Sequence, residues 1–122
     1  MAEIPELSES IYKRLAENVP EFAISVPDGW KDLVNRADAG LATIVPDYTI
    51  LQIKEKFGGL RYYVSGITAD MQSKVREVLD EYERMSFYIC EVCGEQGNMT
   101  STGWIRTLCD LHLKEHNKDK DE

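Results

Sequence analysis

The sequence predicts an α+β protein, and three observations carry that prediction. Residues 69–85 place Met71, Val75, Val78, Leu79, Tyr82 and Met85 at spacings of three and four, an amphipathic helical face. Residues 49–65 read as two strand-like runs joined at Phe57-Gly58-Gly59-Leu60. All three cysteines and one of the two histidines fall in Cys90-Glu-Val-Cys93-Gly94 and Cys109-Asp-Leu-His112. The expected organisation is an α+β core over 1–85, a zinc finger over 86–116 and a disordered polar tail over 117–122.

The first element expected is an amphipathic helix over 7–18. Ser8 serves as its N-cap, Glu9 suits the positive helix end, Leu7, Ile11 and Leu15 face inward, and Pro20 stops it. Residues 22–26 form a short apolar strand or packed connection. A second helix starts near Asp28, with Trp30, Leu33, Val34, Ala37 and Leu41 on its inner face and Gly40 weakening or ending it.

Two glycines at the centre of a two-residue loop satisfy a primed hairpin turn, where both residues reach positive φ. In that register Phe57 faces Leu60, Lys56 faces Arg61, Glu55 faces Tyr62 and Lys54 faces Tyr63. Alternation puts Leu51, Ile53, Phe57, Leu60, Tyr62 and Val64 on one side. Lys54, Lys56, Arg61 and Tyr63 take the other side and form the candidate partner-binding face. Like charges directly opposite destabilise a hairpin unless something anionic answers them. The answer is either a carboxylate of this acidic chain or an external anionic ligand. Glu55 falls on the apolar side with no sequence-level reason. The simplest packing lays helix 69–85 across that apolar side.

Each cysteine or cysteine–histidine pair has a two-residue spacing, and fifteen residues separate the pairs. Zinc takes thiolate and imidazole ligands in a closed tetrahedron, so Cys90, Cys93, Cys109 and His112 fill a structural shell with no position left for substrate. The bland alternative is three chance thiols buried as small hydrophobes. No cysteine lies outside the pattern, which favours structural Zn2+. Gln96 to Thr107 reads as a short hairpin, with Trp104 and Ile105 beside the metal as apolar cover. The residues from Cys109 onward start a ligand-bearing helix. Knuckle, hairpin and helix follow in the order of a treble-clef finger. His116, one turn beyond His112, is the competing ligand.

Composition bounds the role. The chain has 122 residues, 43% hydrophobic and 30% charged, enough for one core. No apolar run reaches the roughly 20 residues of a membrane span. The acidic start does not read as a signal or transit peptide, and an odd cysteine count fits a reducing, cytoplasmic setting. The net charge of −8 disfavours long-range steering toward nucleic acid and favours basic partners.

The chain resembles a set of small proteins of bacteria and their phages. The likeness rests on Asp28-Gly-Trp30, on Gln52-Ile-Lys-Glu-Lys-Phe-Gly-Gly-Leu-Arg-Tyr-Tyr63, on Cys90-Glu-Val-Cys-Gly94, on Gly103-Trp104, and on Thr107-Leu-Cys-Asp-Leu-His112. It spans about residues 28–112. The resemblance implies a zinc site and a bacterial or phage setting, and it implies no reaction.

Catalysis finds little support in the sequence. No H-x-E motif accompanies the cysteines, no Gly-rich phosphate loop appears, and no nucleophile has a free histidine partner apart from His116. A protein-interaction module with structural zinc needs the fewest assumptions, and a protein is the expected partner; no small-molecule substrate is evident. One alternative is nucleic-acid binding through Lys54, Lys56, Arg61, Tyr62 and Tyr63, with Arg106 joining them. Another is an acidic inhibitor of a host nucleic-acid-binding protein, using Asp80, Glu81 and Glu83.

Overall fold

The computed structural model describes residues 4–101 and 103–120. Its elements are α1 (Glu9–Lys13), α2 (Lys31–Ile44), β1 (Thr49–Lys56), β2 (Gly59–Ser65), α3 (Gln72–Ser86), β3 (Asn98–Met99), β4 (Thr107–Leu108) and α4 (Asp110–Lys120). This is an α+β architecture. β1 and β2 form an antiparallel hairpin, and β3 and β4 form a second, minimal one. Among the described residues, no helix is long and apolar enough to cross a membrane.

The core forms where α2 meets the hairpin. Trp30, Leu33, Val34, Ala37 and Leu41 of the second helical segment are all buried, against Ile50, Ile53, Leu60 and Tyr62 of the hairpin. Asp28 does not cap α2. It opens a 3-10 turn (Asp28–Trp30) and pairs with Lys31 at 3.0 Å instead. α2 also runs through Gly40 to Ile44 without a break, because Leu41 is anchored in the core on the far side of the glycine.

α1 is much shorter than its amphipathic pattern. Ser8 does cap it, its Oγ accepting from Ser10 N at 3.2 Å. The helix stops at Lys13, well before Pro20, because the following backbone is taken by β1. Ile50 N donates to Arg14 O at 2.7 Å, and Ala16 N donates to Ile50 O at 2.9 Å. Ser25 N adds a bond to Ile53 O at 2.9 Å, so the 22–26 segment also lies along β1. Together the two segments cover the outer edge of β1. Such covering removes the unpaired row of amides and carbonyls that an edge strand presents.

A buried polar chain ties these layers. Arg14 Nε pairs with Asp38 Oδ1 at 2.8 Å, and the Arg14 guanidinium lies 4.4 Å from the Tyr48 ring centroid. The Tyr48 hydroxyl donates to Asp38 and lies 2.6 Å from the Tyr62 hydroxyl. Since Tyr48 has one proton to give, Tyr62 is the donor in the second bond. Burial raises both phenol pKa values well above the ordinary tyrosine range, so both stay protonated.

The hairpin turn lies one residue earlier than the sequence-based one, which shifts every cross-strand partner by two residues. Lys56 pairs with Gly59, Glu55 with Leu60, Lys54 with Arg61 and Ile53 with Tyr62, and a bulge falls at Leu51. The two-residue turn is therefore Phe57-Gly58, with φ of 53° and 79°. Both angles suit a type I′ turn. Glu55 explains the shift: its Oε2 accepts from Gly58 N at 2.7 Å and caps the turn. The bulge turns Leu51 outward, and the turn leaves Phe57 61% exposed, so neither joins the apolar side.

A left-handed φ at a bulky residue costs about 1–2 kcal/mol. Replacing exposed Phe57 by Asn, which tolerates that conformation, should stabilise the protein by about 1 kcal/mol. Chemical denaturation checks this, and an unchanged or lower midpoint would remove the strain argument.

α3 lays its apolar face on the core that the hairpin lines, with Val75 buried there and Val78, Leu79, Tyr82 and Met85 packed against it. It packs against α2 and β2 and runs antiparallel to β2, with Leu60 N donating to Ser86 Oγ at 2.9 Å and the Phe87 ring over Gly59. α4 continues to Lys120, through positions where the polar tail was expected to lack structure; residues 121 and 122 lie outside the described residues.

Candidate metal centre

The four predicted ligands converge. His112 Nδ1 lies 3.1 Å from Cys109 Sγ and 3.5 Å from Cys90 Sγ, and the Cys93 and Cys109 sulfurs are 3.8 Å apart. All four donor atoms lie within 4.8 Å of one another. Cys90 is buried and the others are half-buried. The cluster can hold a metal ion, with each of four side chains offering one donor.

Local chain geometry builds this arrangement. Gly94 N donates to Cys90 O at 2.9 Å and Gly94 takes φ 83°, which turns the chain between the first two cysteines and the rest of the finger. Cys90 N donates to Glu95 O at 2.7 Å. β3 and β4 pair through Asn98 with Leu108 and Met99 with Thr107, returning the chain to Cys109 at the head of α4. His112 follows within the first turn of that helix. Thr102, at the expected hairpin tip, lies outside the described residues.

The two knuckle thiols differ in electrostatic setting. Burial pushes the Cys90 thiol up, but the backbone amides of Cys109, Cys93 and Val92 outweigh it and bring it down to about 7. Cys93 is pushed up to about 11, by burial and by the neighbouring Cys90 and Cys109 sulfurs. Thiolate is thus available at Cys90 near neutral pH, and it supplies the first anionic donor for a cation.

His116 is not part of the cluster. Its Nε2 is shielded from solvent with no hydrogen-bond partner among the described residues. Trp104 does not cover the metal centre as expected. It is 75% exposed, while Ile105 is half-buried and reaches Gly58. A tip residue of so short a hairpin has no second layer to bury it.

Sequence reasoning missed the residues that lock the finger to the core. The Trp30 indole N–H donates to Ile89 O at 2.8 Å, and Gly29 N donates to Glu91 O at 2.9 Å. A Cβ on Gly29 would fall 2.0 Å from Cys90 O. Across the finger, Thr107 Oγ1 donates to Gly58 O at 2.7 Å. Buried Glu91 accepts from Arg106 Nε at 2.7 Å and from Thr107 N at 3.1 Å. Arg106 is thereby engaged inside the finger. A carboxylate set between two ligand cysteines was the one available sequence signal for this lock.

The candidate partner-binding residues share one face of the hairpin. Lys54 stands opposite Arg61, and Tyr63, opposite Gln52, is exposed. Arg61 is answered by Glu83 of α3 at 3.4 Å, with both side chains about a third exposed. Lys54 and Lys56 enter no ion pair among the described residues, and Lys56 Nζ lies 5.6 Å from the Phe57 ring centroid. Phe22, Leu51 and Tyr63 border a shallow depression on this side.

A scan against protein-family models, a search of curated proteins and a search of solved structures each found no match.

Proposed function

We propose that this is a zinc-binding protein-interaction module whose metal is structural. The carrying observation is the closed Cys3His donor set, in which four ligand atoms lie within 4.8 Å of one another. Tetrahedral zinc with Zn–S near 2.3 Å separates its sulfurs by roughly 3.8 Å, and four protein ligands complete its shell. The Cys93–Cys109 separation of 3.8 Å agrees with that geometry. The donor set thus supplies folding energy and offers no substrate position. The zinc would hold the last third of the chain against Gly29, Trp30 and Gly58, leaving the surface for recognition.

A protein partner fits better than nucleic acid. Of the cations considered for phosphate contact, Arg61 is engaged by Glu83 and Arg106 by Glu91. Two lysines on a chain of net charge −8 are a small electrostatic footprint for a polyanion. Exposed Tyr63 beside Phe22, with half-buried Lys54 on the same face of the hairpin, supports the nucleic-acid reading as the second one.

Metal analysis of the purified chain should find one zinc per molecule. Affinity capture from host lysate, with and without nuclease, should retain a protein after digestion. The K54E/K56E double variant should leave that capture unchanged. Retention of nucleic acid alone, lost in K54E/K56E and weakened by salt, would replace the proposed role by the second reading.

A further inference from the structure

The two edges of the β1–β2 hairpin are treated differently. On β1, the outward backbone groups of Ile50 and Ile53 are bonded to Arg14, Ala16 and Ser25. Residues paired in an antiparallel ladder alternate between exchanging both hydrogen bonds and turning both groups away. Ile50 pairs with Val64 and Ile53 with Tyr62, so Val64 and Tyr62 turn their N–H and C=O groups away from β1. Leu60 follows the same parity, and its N–H does point outward, to Ser86 Oγ. No such partner meets the outward groups of Tyr62 and Val64 among the described residues.

These groups open onto a groove of about 1040 Å³ between β2 and α3, bordered on the helix side by Val75, Arg76, Leu79 and Asp80. We propose that this groove docks an extended peptide from a partner protein, which adds to β2 as a third strand. The proposal rests on the interaction-module reading and names its site. Main-chain bonds to an exposed edge provide affinity in this mode, and alternate side chains provide specificity.

The charges on α3 say which side chains the peptide carries. Glu83 is engaged with Arg61, whereas exposed Arg76 and Asp80 enter no ion pair among the described residues. They stand four helical residues apart, roughly 6 Å along the axis. An extended chain covers that distance in about two residues, and residues two apart share a face. The peptide therefore carries a basic and an acidic side chain separated by one residue, both facing α3, with the basic one toward the finger end against Asp80.

The test pans a phage-displayed random dodecapeptide library against the zinc-loaded full chain and titrates a synthetic enriched peptide into 15N-labelled protein. Without peptide, the Tyr62 and Val64 amides should exchange faster than those of Arg61 and Tyr63, which face β1. Enriched peptides should carry opposite charges two positions apart and should slow exchange at Tyr62 and Val64 by about tenfold or more. The R76E/D80K double variant, altered only at exposed positions, should select the reversed charge order. Equal protection of all four amides before peptide is added would show the edge already closed and overturn the proposal. Peptides that bind without protecting Tyr62 and Val64 would overturn the groove while leaving the interaction module standing. A library yielding no binder would overturn the groove, and nucleic acid alone in the lysate capture would remove the module as well.

Discussion

Removal of zinc by a chelator, or Cys93→Ser, should unfold the finger and loosen the core with it. Structural zinc contributes on the order of 10 kcal/mol of apparent folding free energy in small fingers, because the site does not exist in the unfolded chain. Here the loss should travel further than residues 86–116. Ile89 O holds the Trp30 indole, Glu91 O holds Gly29, and Thr107 Oγ1 holds the hairpin turn at Gly58. Trp30 fluorescence, read in a Trp104→Phe background, should shift as buried Trp30 loses its partner. Zinc uptake should also release protons, because thiolate is the ligand form. A thiol in the unfolded, metal-free finger titrates near about 8.5 and is mostly protonated at neutral pH, so zinc uptake should release about two to three protons. Apparent affinity should therefore rise with pH through the neutral range. Calorimetry in buffers of different ionisation enthalpy measures the proton count. A chelated protein with unchanged melting and unchanged Trp30 emission would refute a structural metal.

The second large effect belongs to Gly29. A methyl group there would sit 2.0 Å from Cys90 O, 2.7 Å from the Glu91 carbonyl carbon and 2.7 Å from Gly94 N. All three are backbone atoms of the knuckle, so no side-chain rotation relieves the clash. Gly29→Ala should destabilise the protein by about 3 kcal/mol, the upper end for overpacking. The exchange protection of Gly94 and Cys90 amides should fall along with global stability. Gly40→Ala is the matched control. Its added methyl would meet nothing closer than the Tyr82 hydroxyl at 3.6 Å, and a mid-helix glycine costs about 1 kcal/mol relative to alanine. That variant should be neutral or slightly more stable. Equal behaviour of the two variants in denaturant melts would show that the Gly29–knuckle contact does not couple the finger to the core.

The hairpin shows where local sequence stops being decisive. Gly58-Gly59 satisfies every local rule for a primed turn, yet the turn is Phe57-Gly58. Two tertiary contacts decide it. Glu55 caps Gly58 N, and Gly59 is drawn into the ladder opposite Lys56, where the Phe87 ring leaves no space for a side chain. Moving the turn by one residue shifts the pairing by two and exchanges Lys56 for Lys54 as the residue facing Arg61, and Glu83 then answers Arg61 from a helix that no local pattern places there. The end of α1 has the same origin. Its apolar spacing continues past Lys13, but pairing of the 14–16 backbone with Ile50 takes the groups a longer helix would need.

By itself the sequence determined the α+β class, the inner face of α2, the amphipathic α3 and the four converging donors. Each of these depends on periodicity or on ligand spacing, which are properties of short stretches of chain. Only the tertiary structure decided the hairpin register, the covered β1 edge, the open β2 edge and the use of Gly29, Trp30, Glu91 and Thr107 as a lock. Those features join residues as far apart as Gly58 and Thr107, or Trp30 and Ile89. Hydrogen bonds of such long sequence separation form only when the core has already brought their partners together.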